Sequence, residues 1–134
     1  MYGNYGSVLH VDLNTRSTKT FCPPEAAYAA DLGGRGLAVR LLLDKNPPGI
    51  DPYDPANLLI FATGPATGTG IWGSSRYGVF TKSPQTGLFA ESYSGGKAPL
   101  AVAATGYDAV IICGKSDGIS LRTDHQNACS RFGK

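Results

Sequence analysis

Leu58–Gly96 reads LLIFATGPATGTGIWGSSRYGVFTKSPQTGLFAESYSGG, and the reading of the whole chain turns on this stretch. Two short runs rich in β-branched and aromatic residues, Leu58–Thr63 and Tyr77–Thr81, bracket a loop of Gly, Thr, Ser and Pro. That loop ends in one fixed charge, Arg76, and a second Gly/Ser loop, Ser92–Gly96, follows soon after. Glycine lets main chain approach a ligand closely because no Cβ intervenes. An arginine at the lip of such a loop offers a planar fork of N–H donors suited to phosphate. Together these features read as a cradle for a large, polar, phosphorylated cofactor.

A dinucleotide fingerprint is the nearby competitor. Gly68, Gly70 and Gly73 form G-x-G-x-x-G after a predicted strand, and Glu91 lies 18 positions beyond Gly73. That motif requires its last glycine to open a helix whose N-terminus meets the pyrophosphate. Here Ser74-Ser75-Arg76 leads into Tyr77-Gly78-Val79-Phe80-Thr81, a strand pattern, so the fingerprint fails. Gly114-Lys115-Ser116 fails as a phosphate loop as well, because its first glycine would have to stand at Ala109.

With 134 residues the chain is about one domain, able to bury roughly two thirds of its unfolded surface. Eighteen glycines and nine prolines imply many turns, while 42% apolar residues argue against disorder. A net charge of +2 without any Lys/Arg block leaves no electrostatic footprint for nucleic acid. No apolar run approaches the roughly 18 residues of a membrane span, and the first residues lack the pattern of a signal peptide. The expectation is a soluble, cytoplasmic protein. Cys22, Cys113 and Cys129 form no C-x-x-C pair, and their odd number argues against a disulfide framework. Cys113 reads as a small buried hydrophobe, and neither His10 nor His125 sits in a ligand pattern. No metal site made wholly from this chain is expected.

Along the chain, Gly6–Leu13 alternates as a half-buried strand, with Val8, His10 and Asp12 on one face, Leu9, Val11 and Leu13 on the other, and His10 pointing outward. Ser17–Phe21 returns as its hairpin partner. Pro24 opens a helix that runs to Leu32 before Gly33-Gly34, and Gly36 to Lys45 forms a second, with Leu37, Leu41 and Leu42 inward and Val39 a further candidate. Strands follow at Leu58–Thr63, Tyr77–Thr81 and Leu88–Ser92, then a short helix from Pro99 to Thr105. Asp108–Cys113 reads as a buried strand, and Gly118–Thr123 as its hairpin partner. Asp124–Lys134 is a polar tail without periodicity. The fold class expected is α+β, with mixed or antiparallel sheets and two or three short helices.

The ordered blocks MYGNYG at Met1, LGGRGLA at Leu32–Ala38, PPGIDP at Pro47–Pro52 and LLIFATGPATGT at Leu58–Thr69 carry a family resemblance. RYGVFTKSPQTG at Arg76–Gly87, ESYSGG at Glu91–Gly96 and TGYDAVII at Thr105–Ile112 complete it. The chain resembles the N-terminal domain of the tungsten-dependent aldehyde:ferredoxin oxidoreductases, over Met1 to Lys115. The resemblance implies oxidation of an aldehyde to a carboxylate. Electrons would pass from tungsten, or molybdenum, in a bis-molybdopterin cofactor through a 4Fe–4S cluster to ferredoxin. The cluster cysteines (C-x-x-C-x-x-x-C) and the pterin motifs (D-x-x-G-L) belong to later domains and are absent from this sequence. On that basis residues 1–123 are part of a tungstopterin-cradling N-terminal domain, and residues 124–134 are a tail. The implied partners are the remaining domains or subunits, ferredoxin and the aldehyde, with homo-oligomerisation a further expectation. The alternative is a non-catalytic module that binds pterin or contacts another subunit.

The resemblance assigns cofactor contacts to Arg76, Tyr93, Ser94 and Gly95. Arg76 would neutralise phosphate or hydrogen-bond the pterin without touching the metal. From local sequence alone it reads also as an exposed hairpin arginine or one paired with a surface carboxylate. Tyr93 stands where some family members place an Asn whose side-chain carbonyl helps hold magnesium between the pterin phosphates. Tyrosine lacks that amide, so a magnesium contact here would use backbone oxygen or another group. The other reading of Tyr93 is a packed aromatic covering the loop. Ser74 and Ser75 are additional candidate donors. Arg35, within Gly33-Gly34-Arg35-Gly36, reads as an anion-binding turn or a structural helix junction. Glu91 and Asp108 lie near the glycine segments, but two carboxylates of unknown separation support no catalytic assignment.

Overall fold

β1 (Val8–Asp12) and β2 (Ser17–Phe21) form the predicted antiparallel hairpin, Val8 opposite Phe21 and Asp12 opposite Ser17. The Asp12 carboxylate accepts the Asn14 N–H at 2.8 Å, which shapes the turn between them. The computed structural model describes residues 3–116. Within them, α1 (Glu25–Asp31) and α2 (Gly34–Lys45) precede β3 (Leu59–Thr63), β4 (Tyr77–Lys82) and β5 (Phe89–Ser94). α3 (Ala98–Ala104) and β6 (Ala109–Cys113) follow. All six strands join one sheet in the order β2-β1-β6-β3-β4-β5. β1 and β6 run parallel, and the other neighbours run antiparallel. This is the α+β class, one mixed sheet with three helices.

The sheet's two faces differ sharply. Val8, Ile60, Phe80, Ala109 and Ile111 lie on one face and are fully buried beneath Leu37, Ala38, Leu41 and Leu42 of α2. Burial of each large side chain here stabilises the fold by about 1.5–3 kcal/mol. Leu37, Leu41 and Leu42 of α2 point inward as predicted; Ala38 joins them, and Val39 is half-buried. Alternation places Leu9, Val11, Phe61, Val79, Val110 and Ile112 on the opposite face, where Val11 is buried and the others are half-buried.

Several expectations shift. β1 turns Val8, not Leu9, towards the helices, because cross-strand pairing with Ala109 and Phe21 sets its face. His10 shares that face and is half-buried beside Cys113, so it does not point outward. α2 starts two residues early, at Gly34, and Ser92–Ser94 belong to β5, which shortens the second loop to Gly95–Lys97. Gly118–Thr123 and the tail lie outside the described residues. β6 itself lies between β1 and β3 in the sheet.

Candidate functional site

Register brings one end of every central element together. Thr63 at the end of β3 faces Tyr77 at the start of β4, which faces Ser94 at the end of β5. Ala62 faces Ala109, which pairs with Val8. The first turn of α2 joins this end, with Gly34 against Gly64, and Gly33 against Asn4 and Pro65. A buried carboxylate organises the N-terminal segment here. Asp108 accepts the backbone N–H groups of Tyr5 (2.9 Å), Gly6 (2.8 Å) and Ser7 (3.2 Å), and the Tyr28 hydroxyl (2.8 Å). Burial first, then the bond to Asp108, raises the Tyr28 phenol far above its ordinary range. Asp108 is thus a structural anchor.

The loop from Gly64 to Arg76 is long for a hairpin, where about two to five residues are common. Thr67, itself buried, closes it by directing its hydroxyl at the carbonyls of Ser74 (3.0 Å) and Arg76 (3.1 Å). Ser74 donates to the Ile71 carbonyl at 2.7 Å. Ser75 donates to the Gly96 carbonyl at 2.6 Å and so fastens the first loop to the second. Both serine protons are therefore engaged within the loops, which removes the expectation that they point at a ligand.

Arg76 lies across the second loop. A Cβ on Gly95 would sit 2.0 Å from Arg76 Nη1, so the guanidinium occupies the space that glycine leaves open. Gly95 does not have a positive φ; clearance for the guanidinium is its reason. Arg76 is exposed, and among the described residues it pairs with no carboxylate. Its donors are available to an external anion. The carboxylate-pair alternative finds no partner for Arg76 among the described residues, whereas exposure is what the hairpin-arginine alternative also requires.

Tyr93 packs edge-on against Phe80 at 5.9 Å between ring centroids and lies over Gly78. It stays 53% exposed, and its hydroxyl donates to Glu91 Oε2 at 3.2 Å. Partial desolvation and that carboxylate hold the phenol above its usual pKa, opposed by the nearby Arg35 charge. Ser94 is exposed at the end of β5. Arg35 pairs with the same Glu91 oxygen at 2.8 Å, which favours the helix-junction reading of its turn. Sequence reasoning passed over Thr67 and gave Glu91 no assignment, since the loop closure of Thr67 and the Arg35 contact of Glu91 leave no local pattern.

At the opposite end of β1 and β6, Cys113 Sγ lies 3.6 Å from His10 Nε2. Burial pushes the thiol up and the imidazole down, so both favour their neutral forms. Among the described residues no group of three or more His, Cys, Asp or Glu could hold a metal. A groove of about 530 Å³, lined by Phe21, Pro24, Ala27, Leu37 and Leu41 among others, shares no residue with either glycine loop. Among the described residues no helix is long and apolar enough to cross a membrane.

The sequence model described as the N-terminal domain of aldehyde ferredoxin oxidoreductase matches residues 8–121. The chain belongs to that family. The tungsten-containing aldehyde ferredoxin oxidoreductase of Pyrococcus furiosus is 43% identical over 117 residues, 87% of this chain and 19% of that protein. The Thermococcus kodakarensis protein of the same name is 41% identical over 128 residues, 93% of this chain and 21% of that protein. Among solved structures, the active-site complex BamBC of benzoyl coenzyme A reductase with 1,5-dienoyl-CoA is similar, with a TM-score of 0.83 and 40% identity. That match covers 87% of this chain and 18% of the other. This aldehyde ferredoxin oxidoreductase domain thus spans about a fifth of the length of the relatives it matches.

Proposed function

We propose that the chain is the cofactor-cradling N-terminal part of an aldehyde:ferredoxin oxidoreductase, and that Arg76, Tyr93, Ser94 and Gly95 face a tungsten bis-molybdopterin. The observation that carries this reading is the Arg76 guanidinium, exposed, paired with no carboxylate among the described residues, and lying over the Cβ-free backbone of Gly95. A phosphate or pterin edge laid on that surface meets five N–H donors in one plane and backbone at close range. The second loop cannot drift from the first while Ser75 holds the Gly96 carbonyl. Tyr93 supplies a half-exposed ring and a phenol kept neutral, a hydrogen-bonding group that carries no charge to the site.

When bound, such a cofactor supplies the two-electron oxidation of an aldehyde to a carboxylate, and the protein's share is to hold and orient it. A 4Fe–4S cluster and the docking of ferredoxin belong in this reading to residues outside this sequence, and any magnesium between the phosphates would be met here by backbone oxygen or another group. The similarity to a benzoyl coenzyme A reductase complex supports a platform that leaves substrate choice to other parts of the protein.

Arg76→Ala in the complete protein is the test. Loss of a charge-assisted contact of about 1.5–3 kcal/mol should weaken cofactor retention about 10- to 100-fold, with the melting curve unchanged. Metal analysis showing full tungsten or molybdenum content in the folded variant would overturn the assignment.

A further inference from the structure

We propose that Glu91 is a positioning residue for the second loop: its carboxylate ties the edge strand β5 to the first turn of α2 and anchors the Tyr93 phenol, and so sets where Gly95 and Gly96 lie beneath Arg76. Its functional meaning rests on the cradle reading above; its geometry does not.

β5 is the last strand of the sheet, hydrogen-bonded to β4 alone, and its side chains are mostly exposed. An edge strand with little burial frays more readily than the strands within. Glu91 counters this with two contacts on one oxygen. Oε2 accepts from Arg35 Nε at 2.8 Å and from the Tyr93 hydroxyl at 3.2 Å. The first contact crosses from β5 to a helix whose other side is locked into the core by Leu37, Leu41 and Leu42. The second holds the Tyr93 ring beside Gly78, edge-on against Phe80. Tyr93 is two residues from Gly95, so an anchored ring limits where the loop backbone can go. The Glu91 side chain is 30% exposed and that of Arg35 63%, so solvent screens the pair and its contribution is modest.

Native-state hydrogen exchange of the full chain tests this, read at the amides of Ser94, Gly95 and Gly96. Glu91→Gln and Arg35→Gln should each speed exchange there about two- to five-fold, the range of a partly exposed ion pair. Arg35→Lys, which keeps the charge, should restore most of the protection. Arg40→Gln breaks the ion pair to Asp31 within the helical layer and should leave those amides unchanged. Tyr93, followed by NMR with labelled tyrosine, should titrate lower in Glu91→Gln, since the carboxylate raises its phenol. Parent-like exchange in both Glu91→Gln and Arg35→Gln, or equal acceleration by Arg40→Gln, would overturn the inference. None of these readings needs bound cofactor, so this outcome is separate from the metal content of Arg76→Ala.

Discussion

Gly78 and Gly95 are both glycines for lack of room, but the neighbours that take the room differ. A Cβ at Gly95 would meet mainly the end of the exposed, flexible Arg76 side chain, which can swing away, and the Ser75 carbonyl oxygen at 3.2 Å, a tight but milder contact. A Cβ at Gly78 would lie 2.3 Å from Cζ of Phe80, a fully buried ring with nowhere to go. Overpacking costs about 1–3 kcal/mol, against about 0.5–1 kcal/mol regained by removing glycine from a strand. Gly78→Ala should therefore destabilise by about 1–2 kcal/mol in urea unfolding. Gly95→Ala should change stability by less than about 0.5 kcal/mol yet displace Arg76 and lower metal retention. Equal urea midpoints for the two variants would contradict this account. At this scale Arg76 was legible because it is the one charge in a run of small residues. The engagement of Ser74 and Ser75 was not, because their acceptors depend on how the loop folds back.

Among the elements, α2, the hairpin and the central strands were readable from periodicity, since side-chain direction within an element is a local property. Helix α1 and the N-terminal segment depend on something less visible, the Asp108 carboxylate between α3 and β6. Its bond from Tyr28 has a pH consequence. Below about pH 10 the Tyr28 phenol is protonated in both the folded and the unfolded chain, and its contribution is complete. Above that, the unfolded phenol ionises while the folded one keeps its proton, because its pKa is raised far higher. The unfolded state then binds fewer protons, so stability falls as pH climbs further. Urea midpoints at about pH 9 and about pH 11 should converge more for Tyr28→Phe than for the parent. An alkaline decline of the same size in both would sink the proposed linkage.

For the molecule as a whole, the two faces of the sheet set the behaviour. Helices seal one face, whereas Leu9, Phe61, Val79, Val110 and Ile112 remain half-buried on the other. Exposed contiguous apolar area favours association. The 134-residue chain alone should self-associate, and Phe61→Lys should weaken this. Sedimentation of the parent as a concentration-independent monomer would refute the expectation. The amino-acid order by itself determined the α+β class, the glycine loops, the lone arginine and the family, because these are matters of composition, spacing and short-range pattern. Tertiary structure decided that Val8 of β1 faces the helices, that β1 runs beside β6 with Val8 paired to Ala109, and that Ser75 reaches Gly96. Those outcomes come from contacts between residues far apart in the chain, whose geometry exists only once the sheet has assembled.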